Sequence, residues 1–470
     1  MQSPSSVRAL AVLTAVLLSA CAASEGSVAS PTVALRSLPF ARETRAPSEE
    51  VRTLAQALAV ALDRNPSLAL AEARMRSSEA ALRQARAALW PTAGADLALT
   101  WADAPSVFLF KSIDARSLAP NTDFNHPGSL ANTELGLSVG WNLWRGGRDE
   151  LAIESAKLGV QAEASAESAQ RNALIAMVVA VWLDHRAARE LQASDEARIR
   201  TLEEQQSAAR ARFDSGAALE VDVLALDVRL AQAREARTRS ELAARLALAA
   251  LRELLALGQH ESLAPSLETP TALVAAATHA AALDLALEQR AELRTARAAL
   301  AAAHKRLRAS NGAWSPRLDL QGRVWGDDTD VGLDFEDPNA ALTLSLSFDA
   351  LDGGRRSAGV DSARADVLLA DAQSRSVELA VAHDVERAWI GIEGARSRLV
   401  VAEQALHAAD RGAQIVASQL ASGAATTSRY LDAEADLARA RAEHVLACID
   451  VQRASFDLLR ATGSMESMSW

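Results

Sequence analysis

Apolar and polar residues alternate strictly between Glu134 and Leu143. Leu135, Leu137, Val139, Trp141 and Leu143 fall on one side, and Glu134, Gly136, Ser138, Gly140 and Asn142 on the other. A period of two predicts a strand with one apolar and one polar face. After Gly146-Gly147 the pattern changes to a proline-free run rich in Ala, Leu, Glu, Gln and Arg, reaching Ser215-Gly216. These are good helix formers. The run predicts one helix from Arg148 to about Asp214, on the order of 100 Å long, with Gly159 and Val178-Val179 as expected local breaks. Gly216 turns the chain, and a return helix is expected from about Glu220 to Leu257.

The same design recurs 207 residues later. Leu342, Leu344, Leu346 and Phe348 alternate with Thr343, Ser345 and Ser347. Gly353-Gly354 answers Gly146-Gly147, Trp389 answers Trp182, and Ser422-Gly423 answers Ser215-Gly216. Landmarks held at one spacing indicate an internal repeat. Each half also has a preceding helix and strand. In the first half a helix is expected from about Ser48, interrupted at Asn65-Pro66 and resuming to Leu89, with Pro66 in its first turn. Trp90-Pro91 ends it, and Ala93, Ala95, Leu97, Leu99 and Trp101 mark a two-faced strand that pairs with 134–144. In the second half a helix is expected from about Thr271 to Ser310. Trp314-Ser315-Pro316 answers Trp90-Pro91, and Leu318, Leu320, Gly322 and Val324 mark the strand. The segment between the first two strands, with Pro105, Pro120, His126 and Pro127, reads as a long exposed loop. The second long helix runs from Arg355 to about Leu420, and its return helix to about Arg460.

Four two-faced strands of about ten residues match the pattern of membrane barrel strands, apolar to lipid and polar to lumen. Trp90, Trp101, Trp141, Trp144, Trp314 and Trp325 lie in or beside them, as in an interfacial aromatic girdle. Four strands do not close a barrel, and an open edge in lipid leaves backbone groups unsatisfied. Three copies give twelve strands. The alternative is a small soluble sheet capping a helical bundle; the repeat, the tryptophans and the N-terminus favour the membrane.

That N-terminus has Arg8, an apolar core from Ala9 to Ala20, and Leu18-Ser19-Ala20-Cys21. It reads as a signal peptide over 1–20. The last four residues resemble a bacterial lipobox, whose cysteine is acylated, which favours lipidation of Cys21 over plain cleavage near Ala20 or Ala23. Residues 21–47, with Pro31, Pro39 and Pro47, read as a tether. The remaining cysteine, Cys448, has no partner for an internal disulfide in the lipidated chain. No later apolar run is long enough for a membrane helix. The net charge of −11 gives no support to a nucleic-acid partner. No nucleotide-binding motif or catalytic constellation is present, the eight histidines lack metal-ligand spacing, and neither a cofactor nor an enzyme is expected. The acidic loop from Asp327 to Asp337 lacks the sixth-position glycine and terminal glutamate of an EF-hand and reads as a solvated loop.

Taken in order, the chain resembles the TolC-type outer-membrane efflux family over about 48–465. The resemblance is carried by the repeated unit, by Ala61-Leu62-Asp63-Arg64-Asn65-Pro66-Ser67-Leu68, by the paired glycines after each second strand, and by the two glycine turns. It implies a mainly α chain with a membrane β-barrel, built from a duplicated helix–β-hairpin–long helix–helix unit with repeats at 48–260 and 271–465. It further implies a homotrimer with a 12-stranded outer-membrane barrel on a 12-helix periplasmic tunnel, the passive exit duct of a tripartite pump. The implied partners are a periplasmic adaptor, an inner-membrane transporter and outer-membrane lipid. The implied adaptor-docking tips are Ser215, Gly216, Ser422 and Gly423. Asp432 matches a position of the family's periplasmic gate, while Arg429 stands where an acid is expected, so the ring need not be purely acidic. The alternative function is a periplasmic coiled-coil adaptor or structural lipoprotein, which normally carries one helical hairpin rather than two.

Overall fold

The computed structural model describes residues 50–258, 261–268, 276–329 and 338–465. The signal peptide, Cys21, its tether and most of the acidic loop lie outside them.

Helix α1 (Leu54–Arg64) opens with a capping box: Thr53 Oγ1 accepts from the Gln56 N–H, and Gln56 Oε1 accepts from the Thr53 N–H. The helix therefore begins six residues after the expected start near Ser48, because Val51 is in a parallel bridge with Leu263. Asn65 ends α1 in an extended conformation, and Pro66 begins α2 (Pro66–Ala87). The second half differs from expectation. Its helix is two, α6 (His279–Gln289) and α7 (Ala291–Asn311), broken at an extended Arg290 with no proline present. A buried tertiary contact explains the break. Asn65 Nδ2 donates to the Leu254 carbonyl at 2.7 Å, and Arg290 Nη1 donates to the Ala461 carbonyl at 3.1 Å. Each break supplies a donor to an otherwise orphaned carbonyl near the end of a return helix.

The long helices are α4 (Arg148–Asp214) and α8 (Arg355–Ala421), and the returns are α5 (Glu220–Leu254) and α9 (Thr427–Thr462). The expected breaks at Gly159 and Val178-Val179 do not occur. Val178, Val179, Trp182 and Leu183 are fully buried in the largest core cluster, and that burial outweighs the weak helix propensity of valine.

Two compact units result. One, built from the described residues of 45–77, 161–298 and 371–470, is helical. Among the described residues it contains three core clusters: around Trp182 with α1, around Val385 with α6 and Leu458, and around Leu202, Leu226, Leu230, Tyr430 and Leu431. The other, including 78–160 and 299–370, holds the strands β1 (Thr92–Ala102), β2 (Leu130–Trp144), β3 (Arg317–Asp328) and β4 (Asn339–Ser347). They form one antiparallel sheet in the order β1-β2-β3-β4. A helix that the sequence pattern did not announce, α3 (Pro105–Asp114), lies in the β1–β2 connection. Among the described residues no helix is long and apolar enough to cross a membrane.

Candidate functional site

The sheet sorts its residues by face. Register places Ala95, Leu137, Val324 and Ala340 in one row, and Trp141, Leu320 and Leu344 in another. This apolar face is bare: Leu97, Leu99 and Leu344 are 61, 71 and 62% exposed. The opposite face carries Thr92, Gly140, Gln321 and Thr343 in one row, and Gly94, Ser138, Arg323 and Ala341 in the next. A water-soluble sheet turns its apolar face inward, whereas this one presents it outward. Strands β1 and β4 are its two edges.

Trp90, Trp141, Trp144 and Trp314 are exposed at the strand ends from which the long helices leave, and Trp101 at the opposite end. The Trp141 indole N–H donates to the Leu89 carbonyl at 2.9 Å. A register shift between Asn142 and Trp144 brings Trp144 opposite Leu318, on the apolar face where Leu143 was expected. Trp325 differs from these tryptophans. It shares the polar face with Asn339 and lies 5.5 Å from the Arg323 guanidinium.

In the helical unit, the two glycine turns are alike. Gly216 and Gly423 have φ of 75° and 78°, a left-handed conformation that a Cβ penalises. At the first, the Gly216 N–H donates to the Phe213 carbonyl and the Ala217 N–H to Arg212; at the second, Gly423 donates to Leu420 and Ala424 to Gln419. Both are Schellman caps. The hydroxyls of Ser215 and Ser422 donate to the Arg212 and Gln419 carbonyls at 2.9 and 3.0 Å. Around these matched backbones the side chains differ. Phe213, Leu219, Val221 and Leu224 are exposed at the first turn, whereas the second carries Ala421, Ser422, Ala424 and Ala425.

Asp432 is exposed on α9 and lies 3.6 Å from Arg229 of α5. Arg429 is also exposed. Its backbone N–H is capped by Thr426 Oγ1 at 3.3 Å, and it does not pair with Asp432. Two residues beyond Asp432, the buried Glu434 accepts three hydrogen bonds from Arg198 of α4, from Nε at 3.0 and 3.3 Å and from Nη2 at 3.1 Å. Tyr430 is buried beside them, and burial pushes its phenol pKa up, with Glu434 and Glu204 adding to the effect. Arg198, Arg229, Tyr430 and Glu434 were not read from the sequence. Arg198 and Glu434 are 236 residues apart, so no local pattern joins them. Tyr430 carried a signal, being the sole tyrosine of the chain, seven residues past Gly423.

A bare apolar sheet face, a polar face behind it, and long capped helical hairpins define an outer-membrane channel protein. The profile of the outer membrane efflux protein family matches residues 57–257 and again 282–464, and the chain belongs to that family. It is 26% identical over 357 residues to the outer membrane efflux protein BepC of Brucella suis biovar 1, covering 75% of each chain. It is 25% identical over 418 residues to protein CyaE of Bordetella pertussis, covering 88% of this chain and 84% of that one. Its fold matches the crystal structure of the outer membrane protein VceC from Vibrio cholerae with a TM-score of 0.74 at 19% identity, covering 87% of this chain and 96% of that one. The protein is thus an efflux channel of the outer membrane, a family of conduits rather than of enzymes.

Proposed function

We propose that the chain is the lipid-anchored, homotrimeric exit duct of a tripartite efflux or secretion system. The single observation that carries this reading is an open four-stranded sheet with one bare apolar face and two free edges. In lipid those edges require partners. Three copies joined β1 to β4 form a twelve-stranded closed barrel, with the apolar rows outside and the polar rows lining the lumen. The chain's two halves act as a duplicated unit, at 48–260 and 271–465, so that each copy contributes two helical hairpins to a twelve-helix periplasmic tunnel. The repeated element order and the 207-residue spacing between the Leu254 and Ala461 acceptors support the duplication.

Substrate is driven in by an inner-membrane transporter through a periplasmic adaptor, and the duct conducts passively. The turns at Ser215-Gly216 and Ser422-Gly423 are the adaptor-docking tips. Asp432 and Arg429 line the gate, where Asp432 is held by Arg229 and the helices are pinned by Arg198 to Glu434. Residues 1–20 are removed as a signal peptide, and Cys21 is acylated at the head of the 21–47 tether. No cofactor, metal or nucleic acid takes part in this mechanism.

The test is reconstitution. The purified chain is expected to migrate as a heat-modifiable trimer and to form pores in planar bilayers; a lipid-anchored monomer without conductance would favour the adaptor alternative. Asp432→Ala is expected to change conductance or its block by divalent cations, and an unaltered pore would remove that residue from the gate. Radiolabelled palmitate should enter the wild-type chain and not Cys21→Ala; an unlabelled wild type would remove the acyl anchor.

A further inference from the structure

Helix α3 crosses the polar face of the sheet at the end remote from the long helices. Three observations place it there. Glu134 and Asp327 are cross-strand partners on the polar face, and Lys111 of α3 bridges them, bonding Glu134 and, at 3.0 Å, Asp327. Asn339, which begins β4 on that same face, donates its amide to the Asp114 carbonyl at the end of α3 at 3.1 Å. Leu130 and Asn132 share the face parity of Glu134 and are 5 and 1% exposed, although residues lining an open lumen would be wet. The Asp327 side chain is itself fully enclosed and also accepts from Asn132 Nδ2 at 2.8 Å. Phe110 and Ile113 remain exposed on α3.

We infer that α3 is the size-selecting constriction of the outer mouth, latched over the lumen by Lys111 between Glu134 and Asp327. The inference rests on the trimeric barrel proposed above. A twelve-stranded barrel with strands about 4.8 Å apart and tilted about 40° is about 24 Å across between backbones. Helices are about 10 Å wide with their side chains, so three copies of α3 fill most of that width. Phe110 and Ile113 of each copy then meet those of the other two, giving an apolar ring of the kind that restricts conduction by excluding water. Lys111 is a positioning residue here, because it acts through α3 rather than on the permeant solute. The salt bridge sets the stiffness of the ring: a third carboxylate in place of the ammonium repels α3 from the wall.

The experiment compares the full chain with Lys111→Glu and, separately, with the double variant Phe110→Ser/Ile113→Ser, which leaves the latch in place. Trimer assembly is checked by native mass spectrometry. Single-channel conductance and the sugar-size cut-off of liposome swelling are then measured. Both variants are expected to raise conductance at least two-fold and to admit larger sugars. Assembled trimeric pores with unchanged conductance and cut-off in both variants would overturn the role of α3. A wild-type chain that makes no trimeric pore would instead overturn the barrel on which the inference depends. If Lys111→Glu alone fails to assemble, the double variant decides between the first two outcomes.

Discussion

Leu97 lies at the middle of β1 and is 61% exposed, beside Leu135 on the apolar face. Replacing it with Arg separates a lipid-facing sheet from a water-facing one. At the bilayer midplane a lipid-facing Arg costs about 2–4 kcal/mol, or about 6–12 kcal/mol over three copies. In water, a side chain already this exposed changes stability by about 0.5 kcal/mol or less on substitution. Gln321→Arg is the internal control. It sits on the polar face opposite Gly140 and Thr343, where a lumen-facing charge is hydrated and the cost is again about 0.5 kcal/mol or less. The assay is the temperature at which the trimer dissociates on a gel after reconstitution into phospholipid vesicles. Leu97→Arg is expected to dissociate far below wild type or to fail to assemble, with Gln321→Arg close to wild type. Equal behaviour of the two variants would refute the assignment of the faces.

Removing the Arg198 guanidinium leaves the buried Glu434 unpaired, a loss of about 3 kcal/mol that should loosen the helices near the tips. Arg198→Ala should therefore raise conductance and antibiotic leak, and the Arg198→Glu/Glu434→Arg exchange should restore both; wild-type leak in Arg198→Ala would exclude a pinning role. Gly216→Val and Gly423→Val each force a β-branched residue into a left-handed turn, at about 1–2 kcal/mol. They should lower export in cells while trimer yield holds, and undiminished export would speak against docking at the turns. Burial holds the Asp195 carboxyl above its usual pKa, opposed by the hydrogen bond it accepts from Ser240 at 3.0 Å. The folded protein then binds the proton more tightly than the unfolded chain. This term is intact below the ordinary carboxylate range and is lost as pH rises through the raised pKa. Asp195→Asn should accordingly raise the melting temperature at neutral pH and not in acid; a gain independent of pH would contradict that cause.

Much of this was legible in the sequence because its signals are local. Alternation between Glu134 and Leu143 gave a strand and its faces, and the proline-free runs gave both 67-residue helices. The Gly216 and Gly423 turns came from glycine's tolerance of positive φ. What was missed depends on tertiary contact. The break at Arg290 has no proline to mark it and is held by a carbonyl 171 residues away. Helix α3 is ten residues in a segment dense with turn formers, and Lys111 meets an acid 216 residues on. The same limit applies at the tips. The family resemblance pointed to Asp432, but its partner Arg229 and the Arg198–Glu434 pair follow only from which helices pack together.

Native mass spectrometry of the chain extracted from outer membranes in mild detergent addresses oligomeric closure without any substitution. A predominant species at three times the mass of the mature chain is the predicted result. A predominant single chain, stable with its β1 and β4 edges unpaired, would contradict it.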